Sequence, residues 1–150
     1  MFSEIQKQSD SKNEKIKLLL LIKNQTMKIE VSNGEIADKL TIIEIKLEKI
    51  KDPGKLQNLR TEYEVVNQAM SSIMEKTHPL YLQLHEINTR LWMIEDHIRD
   101  LERISDFGDD FIQTARSVYF INDDRSDVKR KINEITGSKL FEEKSYEEYK

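Results

Sequence analysis

The apolar positions of this chain fall into three consecutive stretches with the same spacing. The first holds Ile36, Leu40, Ile43, Leu47 and Ile50. The second holds Leu56, Leu59, Tyr63, Val66, Met70 and Ile73, and the third Leu80, Leu84, Ile87, Leu91, Ile94, Ile98 and Leu101. Every step is three or four residues, which keeps a narrow apolar stripe on one face of a helix. Three such stripes in succession predict an all-α fold, an antiparallel bundle of three to four long heptad-patterned helices. The punctuation agrees. Ser32-Asn33-Gly34-Glu35 fits a capping box, so the first helix begins near residue 33. Asp52-Pro53-Gly54 stops it, because proline lacks an amide proton and clashes with the preceding turn. The second helix is expected from about 55 to 76. Thr77-His78-Pro79 then opens the third, since proline is tolerated in a first turn. Short connections make consecutive helices antiparallel.

The two ends are less regular. Ile16–Ile22 and Met27–Val31 flank Lys23-Asn24-Gln25-Thr26, which reads as a short β-hairpin; the rival is one helix ending near Lys23. Residues 1–26 read as an N-terminal extension, with Met27 as an alternative start. Residues 27–137 read as the helical bundle domain and 138–150 as a polar tail. Asp106-Phe107-Gly108-Asp109-Asp110 predicts a loop and a helix from Phe111. Its stripe is Val118, Ile121, Arg125, Val128, Ile132 and Ile135, with Gly137 closing it. Either this helix is continuous and carries an arginine in its apolar stripe, or it breaks at Asn122-Asp123-Asp124 with Asp124 capping a new one. Ile42, Ile45, Trp92 and Met93 fall off the stripes. They are ordinary exposed hydrophobes or a second face through which the protein forms a homodimer.

Composition narrows the classes. Only 37% of the 150 residues are hydrophobic and 35% are charged, with four glycines and two prolines. That suits long helices and not a β-sandwich, which needs a turn every ~8–12 residues. The absence of cysteine excludes disulfides and thiolate chemistry. The net charge of −4 argues against nucleic acid as a partner. The longest uncharged apolar run, Leu18–Ile22, is far below the ~20 residues of a membrane span. It is also too short for a signal core. A cytoplasmic protein without a membrane span is expected.

The cations are unevenly distributed. Lysine outnumbers arginine 17 to 7, yet between Lys76 and Lys129 every cation is an arginine: Arg90, Arg99, Arg103, Arg116 and Arg125. Arginine presents a planar fork that holds carboxylate or phosphate and tolerates partial burial. On the third helix Asn88, Trp92, Glu95, Arg99 and Glu102 form a second, polar stripe. The fourth helix offers Arg116, Tyr119, Asn122 and Arg125. Packed side by side, the two would make an arginine-lined pocket for an anionic small molecule, with Asp38 and Lys39 beside it. The alternative is a set of structural arginine–carboxylate pairs at the edge of the core.

Catalytic motifs are sparse. Glu35 and Asp38 lie one turn apart, as in all-helical Mg-dependent nucleotide pyrophosphohydrolases, but the companion E-x-x-E is missing. His78, His85 and His97 lack metal-ligand spacing, and neither a glycine-rich phosphate loop nor a hydrolase elbow occurs. No metal and no cofactor is expected.

Several segments together resemble a bacterial family known as a domain of unknown function. They are Gly34-Glu35-Ile36-Ala37-Asp38-Lys39-Leu40-Thr41-Ile42, Leu91-Trp92 through Ile98-Arg99, Ala115-Arg116-Ser117-Val118-Tyr119 with Asn122-Asp123, then Asn133, Gly137-Ser138 and Glu142–Tyr146. The resemblance covers about residues 27–146 and implies a setting in surface-polysaccharide or glycosyl-transfer functions. The functional expectation is a helical-bundle protein that self-associates or binds a partner. Its alternatives are a binder of, or enzyme on, a phosphorylated or carboxylated metabolite, and the pyrophosphohydrolase.

Overall fold

The computed structural model describes residues 13–15 and 27–145. The chain divides into two compact units, Met1–Glu30 and Val31–Lys150. In the first, residues 13–15 are helical and 27–30 have no regular structure. The expected second hairpin strand is therefore not formed over Met27–Val31, and Met27 and Ile29 are exposed. A two-stranded hairpin is marginal without a face to pack on. Its partner segment, Ile16–Ile22, lies outside the described residues.

The second unit contains α1 (Asn33–Lys49), α2 (Pro53–Met70), α3 (Pro79–Arg103) and α4 (Asp109–Ile135). Among the described residues there is no strand, so the fold is all-helical. Side chains cap three helix starts, and α2 begins at Pro53, ahead of the expected residue 55. The Ser32 hydroxyl accepts the Glu35 amide, Asp52 accepts the Lys55 amide, and His78 Nδ1 accepts the Leu80 amide. Pro53 and Pro79 stand at the first helical positions. α2 stops at Met70, short of the expected residue 76. There the Ser71 hydroxyl donates to the Gln68 carbonyl, a local bond that competes with the helix ladder. α4 begins at Asp109, two residues before Phe111, and runs unbroken through Asn122–Asp124.

Ala37, Leu40, Met70, Tyr81, Leu84, Ile87, Leu91, Ile121, Val128 and Ile132 form the core, with contributions from all four helices. Ile45, placed off the stripe by its spacing, is buried as well. α1 is the hub. It packs against each of the other helices, α3 packs on α4, and the backbone of α2 lies along α1.

The arrangement departs from a simple up-and-down bundle. Side-chain links pair Gly34 with Asn133, Glu35 with Lys129 and Asp38 with Arg125, so α1 and α4 run in opposite senses. Links from Asp38 to Asn88 and from Glu44 to Tyr81 order α1 against α3 in the same opposed way. Yet α3 and α4 are themselves opposed, joined by residues 104–108 and linked between His97 and Asp110. One helix cannot lie antiparallel along two mutually opposed neighbours. α1 therefore crosses the α3–α4 hairpin steeply, near its open end.

Beyond that crossing the hairpin continues as an arm. From residue 92 to 120 only Leu101 is buried, while Met93, Ile104, Phe107 and Ile112 are exposed. Phe107 and Phe111 stack edge to face at its tip, 5.3 Å between ring centres.

Candidate functional site

The crossing is held by a buried polar link. Asp38, 1% exposed on α1, receives both prongs of the Arg125 guanidinium, at 2.7 Å from Nε and 2.5 Å from Nη2. Asn88 of α3 donates to Asp38 Oδ1 and to the Thr41 hydroxyl, each at 2.8 Å. That hydroxyl in turn donates to the Asp38 carbonyl. Arg125 also reaches Asn122 on its own helix. Three helices thus meet at one carboxylate, and among the described residues no buried side-chain nitrogen or oxygen lacks a partner. A fully satisfied network of this kind fixes one packing arrangement. The hydrogen bonds and charge of Asp38 raise the Arg125 pKa against the opposing effect of burial. This is why an arginine sits in an apolar stripe without breaking the helix: its charge is consumed across the crossing.

Next to this link an open groove of about 1070 Å³ follows the outer face of α4. Among the described residues its lining on α4 runs from Arg116 to Lys129, joined by Glu35 of α1 and by Glu142, Lys144 and Ser145 of the tail. At 1.5 Å rise per residue that stretch of helix spans about 20 Å. Tyr119 and Phe120 present adjacent rings there, centres 4.6 Å apart. Arg116 donates from Nε to the Tyr119 hydroxyl and, among the described residues, makes no ion pair. Lys129 at the other end differs. Its ammonium bridges Glu35 at 2.7 Å and Glu142 at 2.8 Å. Burial alone would lower the Lys129 pKa, but the two carboxylates outweigh it and leave it raised. The same contact with Lys129 lowers the pKa of Glu142.

The residues singled out by sequence separate into three groups. Asp38, Asn88, Asn122 and Arg125 come together in the crossing link. Arg116, Tyr119, Asn122 and Arg125 line the groove. The rest lie elsewhere: Lys39 pairs with Glu62 of α2 at 2.6 Å, and Trp92 is half-buried on α3 outside the groove lining. Glu95 and Arg99 pair with each other on the solvent face of α3, 2.9 Å apart. Adjacent residues of a helix point about 100° apart, which is why Asp38 and Lys39 cannot share a site. The expected convergence of Arg99, Arg116 and Arg125 on one space does not occur. Nor do Glu35 and Asp38 converge, since each is drawn to a different cation of α4. Among the described residues no three His, Asp or Glu side chains are grouped to hold a metal ion.

The sequence reading leaves Lys129 out of the candidate site, and it names Glu35 only for the capping box, a carboxylate pair and the resemblance, and Glu142 only within the resemblance. Lys129 stands four residues after Arg125 and four before Asn133, a spacing that places all three on one face of α4. That spacing was the available signal. The window of arginines ended just where the decisive lysine began.

No curated protein and no solved structure matches this chain. A family model does: the chain belongs to a family of unknown function (DUF6165), matched over residues 27–149. The geometry explains several of the residues that carried the earlier resemblance. The first three amides of α1, orphaned by helix geometry, are each met by a side chain. Ser138 accepts from Asn33, Asn133 from Gly34 at 2.6 Å, and Ser32 from Glu35. At Gly34 a side chain has no room, because a Cβ would stand 2.5 Å from the Lys129 carbonyl oxygen. Gly137 adopts a left-handed conformation, φ 65°, and turns the chain so that Ser138 reaches α1.

Proposed function

We propose that the α4 groove binds an elongated small molecule bearing at least one phosphate or carboxylate, with a planar or sugar portion against Tyr119 and Phe120. The observation that carries this reading is Arg116, a guanidinium on the groove wall beside two rings and without a carboxylate partner among the described residues. Asn122 and Ser126 on the same wall carry donors and acceptors suited to hydroxyl groups. Among the described lining residues the cations Arg116, Arg125, Lys129 and Lys144 stand beside the acids Glu35, Asp123 and Glu142. Such a groove selects for shape and hydrogen bonding as well as for negative charge. The setting in surface-polysaccharide functions implied by the resemblance directs the first ligands to try.

A thermal-shift panel of nucleotides, sugar nucleotides and phosphosugars tests it. A true ligand at a hundred times its Kd adds about 2.7 kcal/mol of stability. Arg116→Ala, which removes a charge-assisted hydrogen bond, then weakens binding about tenfold or more. A flat panel, or a shift that Arg116→Ala leaves unchanged, overturns the proposal.

A second reading, self-association of the chain, is favoured by the arm. Its half-covered stripe and the exposed Ile104, Phe107 and Ile112 offer an apolar face to a second copy. Light scattering then reports a dimer that Phe107→Glu with Ile112→Glu reduces to a monomer. A strict monomer at micromolar concentration sinks this reading.

A further inference from the structure

The tail that borders the groove doubles back on α4 after Gly137, and two of its acids meet cations of the helix. Glu142 pairs with Lys129 at 2.8 Å and Glu143 with Arg130 at 2.8 Å, while Lys144 donates to the Asn122 carbonyl at 3.3 Å. The Lys129 ammonium belongs to a side chain only 12% exposed, so it is a poorly hydrated cation whose open side is filled by the tail. Its other partner, Glu35, is fixed on α1 and leaves room for a second anion. Among the described residues of the tail none is buried: Leu140 and Phe141 are both exposed, as are residues 142–145. The Arg130–Glu143 pair is exposed on both sides, and Glu142 is exposed on its side of the Lys129 pair, so water and salt weaken the hold of these contacts on the tail. The pivot is firm by contrast, because Ser138 accepts the Asn33 amide of α1.

We propose that Lys129 is a second anion-binding position of the groove and that Glu142 is a tethered carboxylate which occupies it until a ligand's anionic group displaces it. This rests on the groove being a binding site. It adds that the ligand carries two acidic positions, one met by Arg116 and one that competes with the tail. The tail then acts as a strap, closed over the Lys129 end when the groove is empty and released when it is filled. The lowered pKa of Glu142 agrees, since it keeps the competitor charged.

The experiment compares inorganic pyrophosphate binding to the full chain, to Glu142→Gln and to Glu142→Gln with Lys129→Met, by calorimetry. Glu142→Gln binds about tenfold tighter than the unaltered chain, and the double variant loses that gain. Hydrogen exchange across residues 139–145, measured without ligand, is faster in Glu142→Gln. Added pyrophosphate speeds it in the unaltered chain. Equal affinity of the unaltered chain and Glu142→Gln, no binding to any variant, or a gain that survives Lys129→Met overturns the proposal. Exchange unchanged by Glu142→Gln does so too. If Arg116→Ala abolishes the response of the ligand panel while Glu142→Gln changes nothing, the groove reading stands and the strap falls. If Glu142→Gln gains through Lys129 while Arg116→Ala is indifferent, the strap stands and the groove reading falls.

Discussion

The α3–α4 hairpin is built from one continuous apolar pattern, yet its two halves have different fates. Where α1 crosses it, Ile121, Val128 and Ile132 are buried and Arg125 is sunk into a three-helix link. In the arm beyond, Ile112 is 49% exposed, and among the described residues Arg99 and Arg103 pair only with groups of their own helix, the acids being Glu95, Asp96 and Asp100. The residue types and spacings are alike in both halves. What separates them is a third helix. Its presence removes water from Arg125 and leaves Arg99 and Arg103 hydrated, and that decides what each pair contributes. A carboxylate–guanidinium pair in solvent is worth little. A buried one is costly to break, because the surviving charge loses its partner without regaining water.

The largest expected effect follows at the crossing. Asp38→Asn keeps the shape of the side chain and its place beside Asn88 and Thr41, but it removes the charge that Arg125 requires. Breaking such a pair costs about 3 kcal/mol, the low end of the range for buried pairs. The low end applies because the Arg125 side chain keeps 27% of its exposure and recovers some hydration. Denaturant unfolding should show a lower midpoint with an unchanged slope, meaning lost stability rather than a changed unfolded state. A loss below about 1 kcal/mol would mean that the crossing is held by apolar packing alone, and the contrast between the two halves would vanish.

Much of this could be read from the chain, and the limits have a physical basis. The three- and four-residue steps identified the helices and their buried faces, since Leu40, Leu84, Leu91, Val128 and Ile132 are all in the core. Periodicity says which face of a helix is covered, but not by which neighbour or at what angle. The steep crossing of α1 was therefore invisible. Gly34 was read as part of a cap, whereas its need for a missing side chain comes from the Lys129 carbonyl, remote in sequence. The arginine window was a real signal of unequal roles. Only Arg125, standing in an apolar stripe, carried a local hint of burial. Lys129 escaped attention because lysine is the common cation of this chain, and its value lies in partners from α1 and the tail. Local pattern is blind to such partners.

The smallest effect sharpens the comparison from the other side. Arg99 pairs with Glu95 at 2.9 Å in the favourable order for a helix, the acid four residues before the base, and also lies 3.9 Å from Asp96. By distance alone this pair resembles Asp38–Arg125. Its side chains, however, are 63% and 49% exposed, so water screens the attraction and each charge is well solvated when its partner is removed. Arg99→Ala should cost only about 0.3–0.5 kcal/mol, and less in high salt. Alanine's higher helix propensity offsets part of even that. Equilibrium unfolding of Arg99→Ala and Asp38→Asn at the same salt concentration makes the contrast direct. A loss at Arg99 approaching that at Asp38 would show that the arm's arginine is buried against something in solution, a second copy of the arm above all. The two halves of the hairpin would then differ only in which chain covers them.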